Sequence, residues 1–210
     1  MDELNDIGEP YVIIAFKRVD PNGNEHWLNK AAVSLTKRND DVYPSGHLSH
    51  VELMFENNGS WYRCSINKKT GTYDAKGNLK WKPGAVHCKH VSQQSMADYD
   101  YFLYYTDREN QKKMFQFCMS QLDNKFNFWG YVLNFFIPFG RIGTYKFHPR
   151  LFRKKTKWFC SELIVVALQS CDAEEFRQYE ARAVSPNDLY RICEGLRIPF
   201  ISSPVCQLQI

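Results

Sequence analysis

The sequence lacks the marks of several large protein classes. No C-x-x-C pair occurs among its cysteines at 64, 88, 118, 160, 171, 193 and 206, and an odd, scattered set supports neither a disulfide framework nor a structural zinc site. The start, Met1-Asp2-Glu3-Leu4-Asn5-Asp6, has neither the basic stretch nor the apolar core of a secretory signal. Reduced thiols and an intracellular, cytoplasmic setting are therefore expected. The apolar runs are too short and too interrupted to span a bilayer. Charge of one sign is not in large excess either. Lys and Arg number 27 against 23 Asp and Glu, a formal charge of +4, which falls short of the footprint of a dedicated nucleic-acid binder. Internal repeats and low-complexity blocks are also missing.

What remains is a globular composition: 210 residues, 44% hydrophobic and 24% charged. That length is enough to bury a core without metal or disulfide, so no cofactor and no metal is expected on structural grounds. The chain reads as an N-terminal strand and helix embellishment over 1–44, followed by a main domain over 45–210.

Strand and helix signals alternate along it. Tyr11 to Phe16 is a β-branched and aromatic run ended by the Asp20-Pro21-Asn22-Gly23 turn. Residues 25–37 space their apolar positions as a helix does. Val51 to Phe55 and Trp61 to Ile66 flank an Asn-Gly turn and predict a hairpin. Residues 68–77 read as a loop, and Tyr99 to Tyr105 as a strand. A helix near 107–122 is capped by Thr106 or Asp107. The segment from Cys160 to Leu168 is apolar on nearly every side after Glu162, as a buried helix is. Ser185-Pro186-Asn187-Asp188-Leu189 opens a last helix, with Ser185 as cap and Pro186 in its first turn. The sum is an α+β fold.

Chemistry concentrates at Cys160. On residue type alone it reads as a buried structural cysteine, but it stands at the head of a helix. Unpaired N–H groups and the positive end of the dipole there favour a thiolate, the nucleophilic form. Arg153, Lys154, Lys155 and Lys157 lie just upstream. A nucleophilic cysteine needs a base, and His50 is the best placed of six histidines. In a strand, Val51, Leu53 and Phe55 share one face and His50, Glu52 and Met54 the other. If the Cys160 helix packs on that second face, His50 and Cys160 form a couple. His47, three residues earlier, points the opposite way.

Glu162 has a plain account as a carboxylate complementing the helix dipole. His87 and His90 stand on opposite faces of a strand, with no second pair of ligands nearby, so zinc is not the preferred reading.

Ser49-His50-Val51-Glu52-Leu53-Met54-Phe55 and Trp158-Phe159-Cys160-Ser161-Glu162-Leu163-Ile164 together resemble the circularly permuted NlpC-like hydrolases of the papain-like superfamily. That family has bacterial and poxvirus members. In it a histidine opens an early strand, and the cysteine opens a late buried helix in an F/Y-C-S-E-L motif. Ser185-Pro186-Asn187-Asp188-Leu189 is similar to the family's proline-aspartate-leucine segment. The stretch from Phe126 to Tyr131 is more loosely similar to its glycine-tyrosine segment. The likeness covers about residues 45–195. It implies a permuted papain-like fold, an antiparallel sheet packed on the helix that starts at Cys160, and a Cys160–His50 couple.

The chain departs from the family at the third role, usually a Glu on the strand after the histidine strand. Tyr62 to Asn67 offers no carboxylate, which leaves Glu52, Ser65 or Asn67. Glu52 is at the limit of reach, because i and i+2 stand roughly 6.5 Å apart on a strand.

The expected function is a cysteine hydrolase or acyltransferase acting on a peptide, another amide or an acyl lipid through an acyl-enzyme. The aromatic and basic stretch 126–157 suits contact with an anionic membrane. The competing reading is a catalytically weak or inactive module of the same fold that binds a membrane, nucleic acid or a virion partner. Virion association is implied only by the family's poxvirus members.

Overall fold

The computed structural model describes residues 10–19, 30, 33, 34, 47–57, 59–66, 84–91, 99–127, 157–171 and 173–201, with the backbone alone at 69–73 and 79–83. The strands are β1 (Tyr11–Arg18), β2 (Leu48–Asn57), β3 (Ser60–Ile66), β4 (Lys69–Tyr73), β5 (Leu79–Pro83), β6 (Val86–His90), β7 (Tyr99–Tyr105), β8 (Lys125–Phe126), β9 (Lys157–Trp158) and β10 (Phe200–Ile201). The helices are α1 (Arg108–Ser120), α2 (Cys160–Gln169), α3 (Glu174–Arg177) and α4 (Pro186–Gly195), with a 3-10 turn at Ala181–Ala183. Lys30, Val33 and Ser34 are helical. The rest of the helix expected over 25–37 lies outside the described residues. So do Asn67, residues 128–156 of the aromatic and basic stretch, and with them the proposed membrane contact, save at Phe126, Asn127 and Lys157.

Six strands form one antiparallel sheet in the order β10-β7-β1-β2-β3-β6. The N-terminal strand β1 is an inner strand, paired with β7 on one side and with the histidine strand β2 on the other. The β2–β3 hairpin turns at Gly59, whose φ of +75° lies in the left-handed region that glycine enters without a Cβ clash.

The stretch expected to be a loop at 68–77 departs from that reading, because 69–73 pair with 79–83 as the β4–β5 hairpin. Their weakly apolar sequence carries little strand signal of its own, and the partner strand supplies the ladder. The two-residue strands β8 and β9 pair in parallel across 30 intervening residues and have no local signature either.

Alternation divides the sheet into two faces. Val12, Ile14, Phe16, Val51, Leu53, Phe55, Cys64 and Phe102 belong to the main core, together with Met114 and Cys118 of α1, Leu163, Ile164 and Leu168 of α2, and Leu189 of α4. Ile13, Ala15, Met54, Trp61, Tyr101 and Leu103 form a second cluster on the other face. Helix α2 is buried almost all round, with Leu163, Ile164, Val165, Ala167 and Leu168 all at 0% exposure. Each large apolar side chain so buried contributes about 1.5–3 kcal/mol. The fold is thus α+β, with a helix that starts at Cys160 packed on an antiparallel sheet.

Helix α4 fastens the start of the histidine strand. Ser185 and Asp188 form a capping box, and Asn187 Oδ1 accepts the Leu48 backbone N–H at 3.0 Å from a fully buried position. Asn187→Ala leaves that N–H buried without its acceptor. A loss of about 1–3 kcal/mol in urea denaturation is expected, read as a lower midpoint with an unchanged slope.

Candidate active site

Cys160 is the first residue of α2, and the extended Phe159 before it serves as N-cap without a side-chain cap bond. The residues leading into it are clamped. Trp158 Nε1 donates to Gln121 Oε1 at 3.1 Å, and the Trp158 carbonyl accepts the Asn127 N–H at 2.7 Å. One residue on, Ser161 Oγ donates to the Val184 carbonyl at 2.6 Å in a fully buried contact. Cys160 itself is only 3% exposed.

The helix packs on the sheet face that carries Val51, Leu53 and Phe55, not on the face of Glu52 and Met54. The expected condition for a couple, the helix on the second face, is therefore not the arrangement found. His50 and Cys160 nevertheless share a side-chain hydrogen bond. The cause is a register shift: Lys17 faces His50, but Arg18 faces Leu48, so Ser49 is an extra residue on β2. Leu48 consequently shares the core with Val51 despite an odd spacing. A bulge bends the strand and re-aims the side chains beside it, which brings the half-buried His50 ring to the helix head.

The other ring nitrogen of His50 is held from the opposite side. Ser65 Oγ lies 2.8 Å from Nε2 and donates its own hydrogen to the Val51 carbonyl at 3.1 Å. With its one hydrogen used, the hydroxyl accepts from Nε2–H, which leaves Nδ1 for the thiol. Glu52 Oε1 stands 3.3 Å from the same Nε2. Of the three candidates for the third role, the structure brings two, Ser65 and Glu52, to one atom.

Arg63 and Tyr99 extend this network and carried no sequence signal. Arg63 Nη1 lies 3.6 Å from Glu52 Oε2, and the Tyr99 hydroxyl donates to Glu52 Oε1 at 3.3 Å. Tyr99 and His50 are both register partners of Lys17 on β1, a proximity that depends on strand order. Their signal appears only once the sheet is assembled.

The electrostatics follow from these contacts. Burial alone would lower the His50 pKa, but its hydrogen bonds to Cys160 and Glu52 and their charges raise it to about 9. Burial would likewise raise the Cys160 thiol. The hydrogen bond and charge of His50, with backbone bonds from Val51 and Ser161, bring it below its ordinary 9.0 instead. Burial opposes ionisation of Glu52 too, and the His50 bond and charge, helped by Arg63, hold it below the usual carboxylate value. These contacts all favour the thiolate–imidazolium form of the pair, with a carboxylate behind it.

The remaining candidates lie elsewhere. Glu162, 2% exposed, bonds Arg182 at 3.0 Å on the far side of the helix, and burial pushes its pKa up to about 7 against the pull of Arg182. That ion pair, not the helix dipole alone, accounts for its place. The His47 carbonyl accepts the Val19 N–H at 2.8 Å. His87 stands opposite Ser65, and His90 stacks edge-on against Tyr62. Among the described residues no three of His, Cys, Asp or Glu are placed to hold a metal ion, and no helix is long and apolar enough to cross a membrane.

Compared with protein-family models, curated proteins and solved structures, the chain matches none.

The pair makes alkylation of Cys160 by iodoacetamide fast below the ordinary thiol value of 9.0, with the rate falling as pH drops through the lowered thiol value. In His50→Ala the rate profile moves upward toward the ordinary 9.0, since only the backbone bonds of Val51 and Ser161 then oppose burial. An unshifted profile would show that His50 does not ionise the thiol.

Proposed function

We propose that the protein is a cysteine hydrolase or acyltransferase of permuted papain-like type, acting on a carbonyl carbon of an amide or ester. The observation that carries this reading is the hydrogen-bonded Cys160–His50 pair at a helix head. The order of the elements supports the permuted arrangement, since the histidine strand β2 precedes the cysteine helix α2 in the chain. The carboxylate missing from β3 favours an inactive module, but Glu52 supplies one to the same ring nitrogen from β2.

In the reaction, the Cys160 thiolate attacks the carbonyl carbon. The C=O electron pair moves onto oxygen, and the Cys160 backbone N–H at the head of α2 helps hold the oxyanion. As the tetrahedral intermediate collapses, the His50 Nδ1 proton passes to the leaving nitrogen or oxygen, and a thioester remains on Cys160. Neutral His50 then takes a proton from water, or from an acceptor alcohol or amine, as that group attacks the thioester. Collapse returns the thiolate and the imidazolium. Ser65 keeps Nε2 protonated throughout, and Glu52 stabilises the charged ring. Both are positioning residues.

Substrates of the expected classes are peptides, other amides and acyl lipids. Stretch 126–157 is the proposed membrane contact for the last of these, and a cytoplasmic or virion-associated setting belongs to the same proposal.

Turnover of a panel of amide, peptide and phospholipid substrates tests the reading. Cys160→Ala is expected to lower it about a thousandfold or more, while the native chain accumulates a mass adduct of the acyl group on Cys160. Complete absence of adduct and turnover across the panel would overturn the proposal.

The pH profile separates the proton donor from the nucleophile. Turnover falls as pH rises through about 9, where His50 loses its proton, whereas alkylation of Cys160 does not. Glu52→Gln removes a charged hydrogen bond worth about 1.5–3 kcal/mol and lowers that alkaline limb by about one pH unit or more. A purely structural role for Glu52 would leave the limb in place.

A further inference from the structure

Three cysteines outside the proposed site form a cluster of their own. Cys64 of β3 and Cys88 of β6 face each other in register, 24 positions apart in sequence. The Val91 N–H donates to the Trp61 carbonyl at 2.9 Å, which marks 61 and 91 as a hydrogen-bonded pair of the same ladder. Alternation then makes Cys64 and Cys88, three positions along, a non-hydrogen-bonded pair. In such pairs the Cα atoms lie about 4.5 Å apart and the side chains approach most closely, within the span a disulfide bridges. Their sulfurs lie 2.6 Å apart. Cys118 of α1 is hydrogen-bonded to Cys64 as well. Cys64 and Cys118 are fully buried, but Cys88 is half-buried on the edge strand and gives the cluster one thiol within reach of solvent.

We propose that Cys64 and Cys88 are a reversible disulfide site, closed by hydrogen peroxide and reopened by a dithiol. The Cys88 thiolate attacks a peroxide oxygen and breaks the O–O bond, which forms a sulfenic acid and releases the other oxygen as hydroxide. Cys64 then attacks that sulfur and displaces a second hydroxide. The two protons given up by the thiols convert both hydroxides to water. Two sulfurs are oxidised, one peroxide is reduced, and the sulfur–sulfur bond is the new link. A dithiol reverses it by two exchange steps and leaves as its own disulfide.

Two features set the behaviour of this site. The close pairing with Cys64, then burial, push the Cys88 thiol far up. The bond with Cys118 raises Cys64 in the same way. Closure is therefore slower than oxidation of Cys160 and speeds up with rising pH. The bond would also close the loop that contains the β4–β5 hairpin. It would tie together the two strands that carry Ser65 and His87, next to the group that holds His50.

The test uses the full chain as Cys160→Ala, so that the proposed nucleophile neither competes for oxidant nor affects the result. The protein is treated with hydrogen peroxide at mildly alkaline pH, denatured in N-ethylmaleimide and mapped by mass spectrometry. The expected result is loss of two alkylatable thiols and of two hydrogen masses, with the Cys64 and Cys88 peptides joined and dithiothreitol restoring both thiols. Cys88→Ser is expected to lose the link. Alkylation of both Cys64 and Cys88 after peroxide would overturn the proposal, as would the same loss of two thiols in Cys88→Ser.

Discussion

The structure of the site depends on one contact, the seating of the head of α2 against the bulged start of β2. There the Cys160 sulfur meets the backbone of Val51 and the ring of His50. A thiolate and an imidazolium taken out of water are stable only if each finds partners, since an isolated buried charge costs far more than a domain's net stability. The helix supplies the Ser161 N–H and the strand supplies the Val51 N–H and the imidazolium. Neither element carries the charge alone. Moving either would break the Cys160–His50 pair.

That seating explains features distant from it in sequence. The wholly apolar body of α2 is the area that presses the helix onto the sheet. Ser161 anchors its first turn to Val184, just before the capping box of α4. Asn187, two residues into α4, then grips Leu48 at the bulge. The segments 48–51, 160–162 and 184–188 thus form one hydrogen-bonded unit, with Glu162 and Arg182 closing its far side. On the opposite face of the sheet, buried Glu52 and the partly buried Arg63 and Tyr99 form a polar patch that supports the histidine through its second nitrogen. The ring is held from both faces of the sheet at once, which a regular strand would not permit.

Much of the fold was legible because local chemistry and tertiary demand agree there. The run Tyr99 to Tyr105, the hairpin across Gly59, the cap at Asp107 and the cap at Ser185 all appear where their residues indicate. Other elements were not legible. The β4–β5 hairpin and the parallel pair β8–β9 draw their order from a partner strand rather than from their own residues. The bulge at Ser49 was hidden for a related reason. Strict alternation assigns His50 to the face away from the helix, and only the register with β1 reveals the extra residue.

The cysteines draw the same line between chain and fold. By itself the sequence determined that Cys160 heads a buried helix, that His50 lies near the start of a strand, and that the candidates for a third partner were few. Those properties follow from spacing, capping and hydrophobic pattern, which act over a few residues. Only the tertiary structure decided that Glu52 and Ser65 share one ring nitrogen, that Arg63 and Tyr99 stand behind them, and that Cys64 and Cys88 lie in register. Such contacts join residues up to 47 positions apart. Their energy depends on distances of a few ångströms, which strand order and register alone set.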